Sequence, residues 1–61
     1  MRINVQFIDE DEKVICGYFS NHQDDEEAYT NQGEVELSDE RWKTYYASVG
    51  SAIQWMLPEP N

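Results

Sequence analysis

One cysteine in a chain of 61 residues is the tightest constraint on what this sequence can fold into. A domain of about 60 residues buries only roughly 60% of the surface that its unfolded chain exposes. Such domains usually recruit disulfides, a metal or an oligomeric partner to hold together. Cys16 alone closes no intrachain disulfide, so the fold has to rest on one small apolar core, with self-association left open. Cys16 stands between Ile15 and Gly17 in an apolar run, where a free thiol is expected to act as a small buried hydrophobe. A lone cysteine fits a reducing compartment. The residues after Met1 alternate and then run into acids, unlike the unbroken apolar stretch of a signal peptide or a membrane span, so the cytoplasm is the expected location and no membrane contact is expected.

Residues 2–8 carry Ile3, Val5 and Phe7 on one side and Asn4 and Gln6 on the other, the period of a half-buried strand. Asp9-Glu10-Asp11-Glu12 breaks that pattern as a turn, and residues 13–19 resume it with β-branched and aromatic side chains, so the two segments are expected to pair as an antiparallel hairpin. Val14, Cys16 and Tyr18 share one face of the second strand and Ile15, Gly17 and Phe19 the other; alternation does not say which is buried. Residues 20–33 form an acidic, almost apolar-free stretch that reads as a long exposed loop, with Tyr29 placed to pin it. A short strand over 34–37 follows. Ser38 then offers an N-cap, with Asp39 and Glu40 in the first turn of a helix over about 39–49. Trp42, Tyr45, Tyr46 and Val49 lie at i, i+3, i+4 and i+7, one face of that helix. Gly50 is placed to end it, ahead of an extended segment 52–57 and a disordered tail 58–61 closed by Pro58 and Pro60. The expected architecture is a single α+β domain, a small antiparallel sheet with one helix packed across it. Its expected core is Ile3, Val5, Phe7, Val14, Cys16, Val35, Leu37, Trp42, Tyr45, Tyr46, Val49, Ile53 and Trp55.

Thirteen acidic and four basic residues leave a formal charge of −9. That sign repels phosphate backbones, so direct nucleic-acid binding is not expected; the acidity serves solubility or steers the domain toward a basic partner. His22 is the sole histidine and has no catalytic or ligating partner at a recognisable spacing. The acidic runs at 9–12 and 24–27 lack the ligand spacing of a calcium loop, and no glycine-rich phosphate loop is present. No catalytic, metal or cofactor-binding residue is expected, and the chain reads as non-enzymatic. The candidate partner-binding residues are the loop acids Asp24, Asp25, Glu26 and Glu27, with Tyr29, and the aromatics Phe19 and Trp55 left over once a small core is filled.

The turn Phe7-Ile8-Asp9-Glu10-Asp11-Glu12-Lys13, then Gln23-Asp24, Tyr29-x-Asn31-Gln32-Gly33-Glu34-Val35, and Ser38-Asp39-Glu40-Arg41-Trp42 opening a helix with Tyr45-Tyr46, make residues 3–46 resemble short tail-associated proteins of tailed phages and prophages. The resemblance implies an accessory role in tail structure or assembly, in a bacterial host cell or on the virion, and carries no catalytic residues with it. A second class stays open beside it: an acidic inhibitor whose carboxylates imitate DNA phosphates and block a host nucleic-acid-binding defence protein, of the anti-restriction or anti-CRISPR kind. The layout of the carboxylates separates the two, since a mimic needs them in rows on one face.

Overall fold

The computed structural model describes residues 1–25 and 27–60. Three strands, β1 (Arg2–Phe7), β2 (Ile15–Phe19) and β3 (Gln32–Glu36), are followed by α1 (Glu40–Ser48) and α2 (Ser51–Gln54). The sheet has the order β2-β1-β3, and both outer strands run antiparallel to β1. The domain is α+β, with α1 packed across one face of the sheet. Its core is Ile3, Val5, Phe7, Ile15, Val35 and Trp42, bordered by half-buried Tyr18, Leu37, Tyr45, Tyr46 and Leu57. The alternation in β1 therefore sets the inner face as its sequence suggests.

Neither alternating face of the second strand is the buried one. Val5 pairs with Tyr18 and Gln6 with Gly17, but Phe7 pairs with Ile15, so Cys16 is the extra residue of a bulge. The bulge inverts the alternation and turns both Ile15 and Tyr18 inward. Cys16 and Val14, expected in the core, are exposed instead, and Ile15 takes that place. The second strand starts at Ile15 rather than 13, because residues 9–14 form the turn. Within it Asp11 N–H donates to Asp9 Oδ1 (3.0 Å) and Glu12 adopts a left-handed φ of 58°.

The third strand begins at Gln32, two residues before the expected start, since Gln32 and Gly33 complete the ladder opposite Gln6 and Val5. Asn31, with φ 58°, makes the bend into it, a conformation Asn tolerates better than most residues. Gly33 is there for space: a Cβ on it would lie 2.7 Å from Phe7 Cε2.

The helix is capped by Asp39, not Ser38. The Asp39 carboxylate accepts the Arg41 N–H at 2.8 Å and also holds the Arg41 guanidinium at 2.8 and 3.0 Å, a pair of contacts that a serine hydroxyl cannot supply. Arg41 also donates to the Glu12 carbonyl and lies 5.1 Å over the Phe7 ring, tying the hairpin turn to the first turn of α1. Trp42 is fully buried, with Tyr18 and Tyr45 rings 5.7 and 5.6 Å away.

Residues 52–57 are not extended. Gly50 caps the short helix α2, and Met56 and Leu57 close the following turn onto Ile53 and Gln54 carbonyls. Gln54 Nε2 donates to Tyr46 O at 2.8 Å, supplying one of the carbonyls that α1 leaves without a partner at its end. This folded form brings Leu57 to the core and leaves Ile53 and Trp55, expected inside, facing solvent. The tail meets the fold at Pro58, whose carbonyl accepts Trp42 Nε1–H at 3.1 Å. Asn61 lies outside the described residues.

Candidate functional site

The sheet order dictates where the acidic loop goes. Strands β2 and β3 flank β1 and are both antiparallel to it, so they run parallel to each other. The chain leaving Phe19 must therefore travel the length of the sheet before it can enter β3. Such crossovers need about a dozen residues or more, which accounts for the length of the segment 20–31.

Three side chains show which face the crossover covers. Gln6, Phe19 and Gln32 belong to the sheet face opposite Trp42, since they pair with or alternate against the inward set. Gln6 Nε2 donates to Thr30 O at 2.9 Å, Gln23 and Gln32 exchange two 2.8 Å bonds, and the Tyr29 ring meets Phe19 edge-on at 5.4 Å. The crossover thus lies over the outer face. Inside it, Asp25 opens one turn by accepting Ala28 N–H at its side chain (3.2 Å) and Tyr29 N–H at its carbonyl (2.9 Å).

This places Asp24, Asp25 and Glu27, all exposed, on the outer side of the sheet. Glu34 and Glu36 project to the same side, because they stand opposite Asn4 and Arg2 while Val35 between them faces inward. Five carboxylates from two separate segments therefore share one side of the domain. Arg2, through a 3.4 Å contact to Glu34 O, and the N-terminal ammonium, 3.4 Å from Glu36, are the positive groups beside them, and both are exposed and weakly held. Glu26 lies outside the described residues. Phe19 is half-buried beneath the crossover and Tyr29 is 40% exposed, so this pair anchors the loop and offers one ring edge to solvent.

Trp55 is not part of that surface. It sits after α2, on the helix side, 79% exposed beside Ile53 (51%) and Met56 (68%). The candidate residues fall into two groups: an acidic outer face with Phe19 and Tyr29, and an apolar knob with Trp55 at its centre. Sequence reasoning missed Glu34 and Glu36 as members of the first group, although the Glu34-Val35-Glu36 alternation signals that both point away from the core. It also missed Met56 and a groove of about 300 Å³ between residues 13–15 and α1, whose apolar lining is Val14, Ile15 and Tyr45.

The Arg41 guanidinium, hydrogen-bonded to Asp39, holds that carboxyl below its ordinary value of 3.8, against the opposing effect of partial burial. The pair is structural, joining turn and helix. Among the described residues, no three His, Cys, Asp or Glu side chains gather to hold a metal ion, and no helix is long and apolar enough to cross a membrane. Comparison with protein-family models, with curated proteins and with solved structures finds no match to this chain.

Proposed function

We propose that this domain is a non-enzymatic binding module that recognises a partner protein with a basic surface. The observation that carries this reading is the crossover of residues 20–31, which gathers Asp24, Asp25 and Glu27 on the same side as Glu34 and Glu36. Carboxylates grouped on one side of a −9 chain produce a directional field, which raises encounter rates with a basic surface and repels acidic ones. The resemblance to short tail-associated phage proteins supports an accessory role in tail structure or assembly as the setting. The same grouping also favours the second reading, imitation of DNA phosphates toward a host defence protein, because an acidic row on one face is what such a mimic requires.

The test is capture from phage-infected and uninfected bacterial lysates with two baits, the native chain and a variant carrying Asp24→Asn, Asp25→Asn, Glu27→Gln, Glu34→Gln and Glu36→Gln. A protein held by the native chain at low salt and lost by the variant supports the reading. A captured protein that DNA displaces favours mimicry, and one present only after infection favours tail assembly. Equal retention by both baits, or none, contradicts the proposal.

A further inference from the structure

Residues 44–58 carry no charged side chain, in a chain whose formal charge is −9. They form one lobe made of the second half of α1, Gly50, α2 and the turn behind it. The lobe leaves the fold after Trp42 and returns to it at Pro58, whose carbonyl accepts Trp42 Nε1–H, and Gln54 ties α2 back to the Tyr46 carbonyl. None of its residues is fully buried, and Ile53, Trp55 and Met56 stand exposed together. The acidic groups lie elsewhere. Asp24, Asp25, Glu27, Glu34 and Glu36 share the outer side of the sheet, opposite α1. The turn 9–12 is held at the first turn of α1 by the Arg41 contact to Glu12, at the end of the helix away from Gly50. The charges that border the lobe are of mixed sign: Lys43, 3.6 Å from Glu40, and Glu59 at its base, and Lys13, which lines the groove with Thr44 and Ser48.

We infer that this lobe is the contact surface of a homodimer, in which the Ile53, Trp55 and Met56 side chains of each copy pack on those of the other about a two-fold axis. Three observations select a second copy as the occupant. Chains of charge −9 repel one another in most orientations, and contact through the lobe brings the two together without a facing row of carboxylates while the two acidic faces point away from each other. A standard interface covers about 800 Å² per partner, about a fifth of the 4321 Å² surface of this chain. The lobe holds 15 of the 61 residues, all at least partly exposed, and is large enough to supply that area. The core of one copy is six residues, the size at which small domains recruit an oligomeric partner. A basic partner gains no ion pair from an uncharged lobe, and the anionic headgroups of a membrane are repelled by the rest of the chain. The inference goes beyond the basic-partner reading and does not depend on it: a dimer leaves both acidic faces open.

The test is sedimentation equilibrium of the purified chain from about 1 μM to about 1 mM, with acrylamide quenching of tryptophan fluorescence on the same samples. The mass is expected to rise from 7.2 kDa toward twice that value and stop there, and the quenchable Trp55 signal to fall in step. Trp55→Ser, at an exposed position, is expected to raise the dimer dissociation constant about thirtyfold or more with the far-UV spectrum and Tm of the monomer retained. Ile53→Lys, which sets like charges against each other, is expected to do the same. Added salt is expected to strengthen the dimer by screening the repulsion between copies, the opposite of its effect on a basic partner, and the variant neutralised at Asp24, Asp25, Glu27, Glu34 and Glu36 is expected to dimerise at least as well as the native chain. That variant dimerising normally while losing a captured partner separates this contact from the acidic face. A monomer up to about 1 mM, growth beyond two copies, or a dimer indifferent to both lobe variants each overturns the inference. So does a chain that stays monomeric while its lobe captures another protein or binds phosphatidylcholine vesicles in a Trp55-dependent way.

Discussion

Gly33→Ala pits two opposite effects against each other at a single position. In a strand, alanine is favoured over glycine by roughly 0.5–1 kcal/mol because glycine loses more backbone freedom on folding. Against that, the new methyl would sit 2.7 Å from Phe7 Cε2, about 0.8 Å inside the ~3.5 Å contact distance of two carbons. The outcome depends on whether the ring can retreat. Phe7 is 2% exposed, and Arg41 lies across its face at 5.1 Å while bound to Asp39 and Glu12, so a retreat disturbs the clamp between turn and helix. Overpacking of this kind costs about 1–3 kcal/mol, so after the gain from alanine the net expected loss is centred on about 1 kcal/mol. In a domain this small that lowers Tm by about 4–8 °C per kcal/mol. Urea unfolding followed by tryptophan fluorescence measures it, since Trp42 is buried and Trp55 already faces solvent in the folded chain. The double variant Gly33→Ala/Phe7→Leu should recover at least about 0.5 kcal/mol relative to the sum of the single changes, because the smaller side chain removes the clash. A Gly33→Ala variant as stable as the native chain, or strict additivity in the double variant, would refute the packing argument.

Trp42→Ala should cost about 3–5 kcal/mol, enough to abolish a cooperative melt, while Trp42→Phe, which loses the bond to Pro58 O and part of the packing, should cost about 1–3 kcal/mol; a normal melt for the alanine variant contradicts the core assignment. Gly50 has φ −70° and ψ 156° and nothing within 4 Å of an added Cβ, so Gly50→Ser should stabilise by about 0.5–1 kcal/mol through capping of α2 and a less flexible unfolded chain; a lower Tm counts against it. The Asp39 carboxyl titrates below its ordinary value because Arg41 binds its charged form. Its contribution is therefore complete above the unfolded-state pKa and disappears as pH falls through the folded one. The stability gap between the native chain and Asp39→Asn, about 1 kcal/mol or less for a partly exposed pair, should be present at neutral pH and close in acid; a gap constant with pH speaks against the ion pair.

What the sequence made legible was whatever local pattern and packing agree on. Ile3, Val5 and Phe7 announce a half-buried strand, and Trp42, Tyr45 and Tyr46 announce a helix face, because burial enforces those periods directly. The inner face of β2 was not readable, since the bulge at Cys16 is set by pairing with Gln6 and Phe7 and leaves no mark in the composition of β2 itself. Gln32 and Gly33 look like loop residues; they join β3 because β1 supplies partners and the Phe7 ring occupies the space a side chain would take. Helix α2 spans four residues, too short to form on its own propensity, and is held by Gln54, Leu57 and the Pro58 carbonyl. The acids of the candidate surface were visible as clusters, but their convergence was not. It follows from the order β2-β1-β3, which obliges the loop to cross a face of the sheet, and from α1, which occupies the inner one; a hairpin followed by a third strand could equally well have formed a simple meander.

The most direct test of the binding function is the association rate between this chain and a captured partner, measured by stopped flow at low and at physiological ionic strength. The native chain is compared with the variant neutralised at Asp24, Asp25, Glu27, Glu34 and Glu36. Exposed charges act over about 10 Å at 0.1 M salt, so the native association rate should fall steeply with added salt, and the variant should associate slowly at both ionic strengths with little change in dissociation. Rates that are indifferent to salt and identical in the two proteins would contradict electrostatic recognition and reduce the acidic face to a solubilising surface.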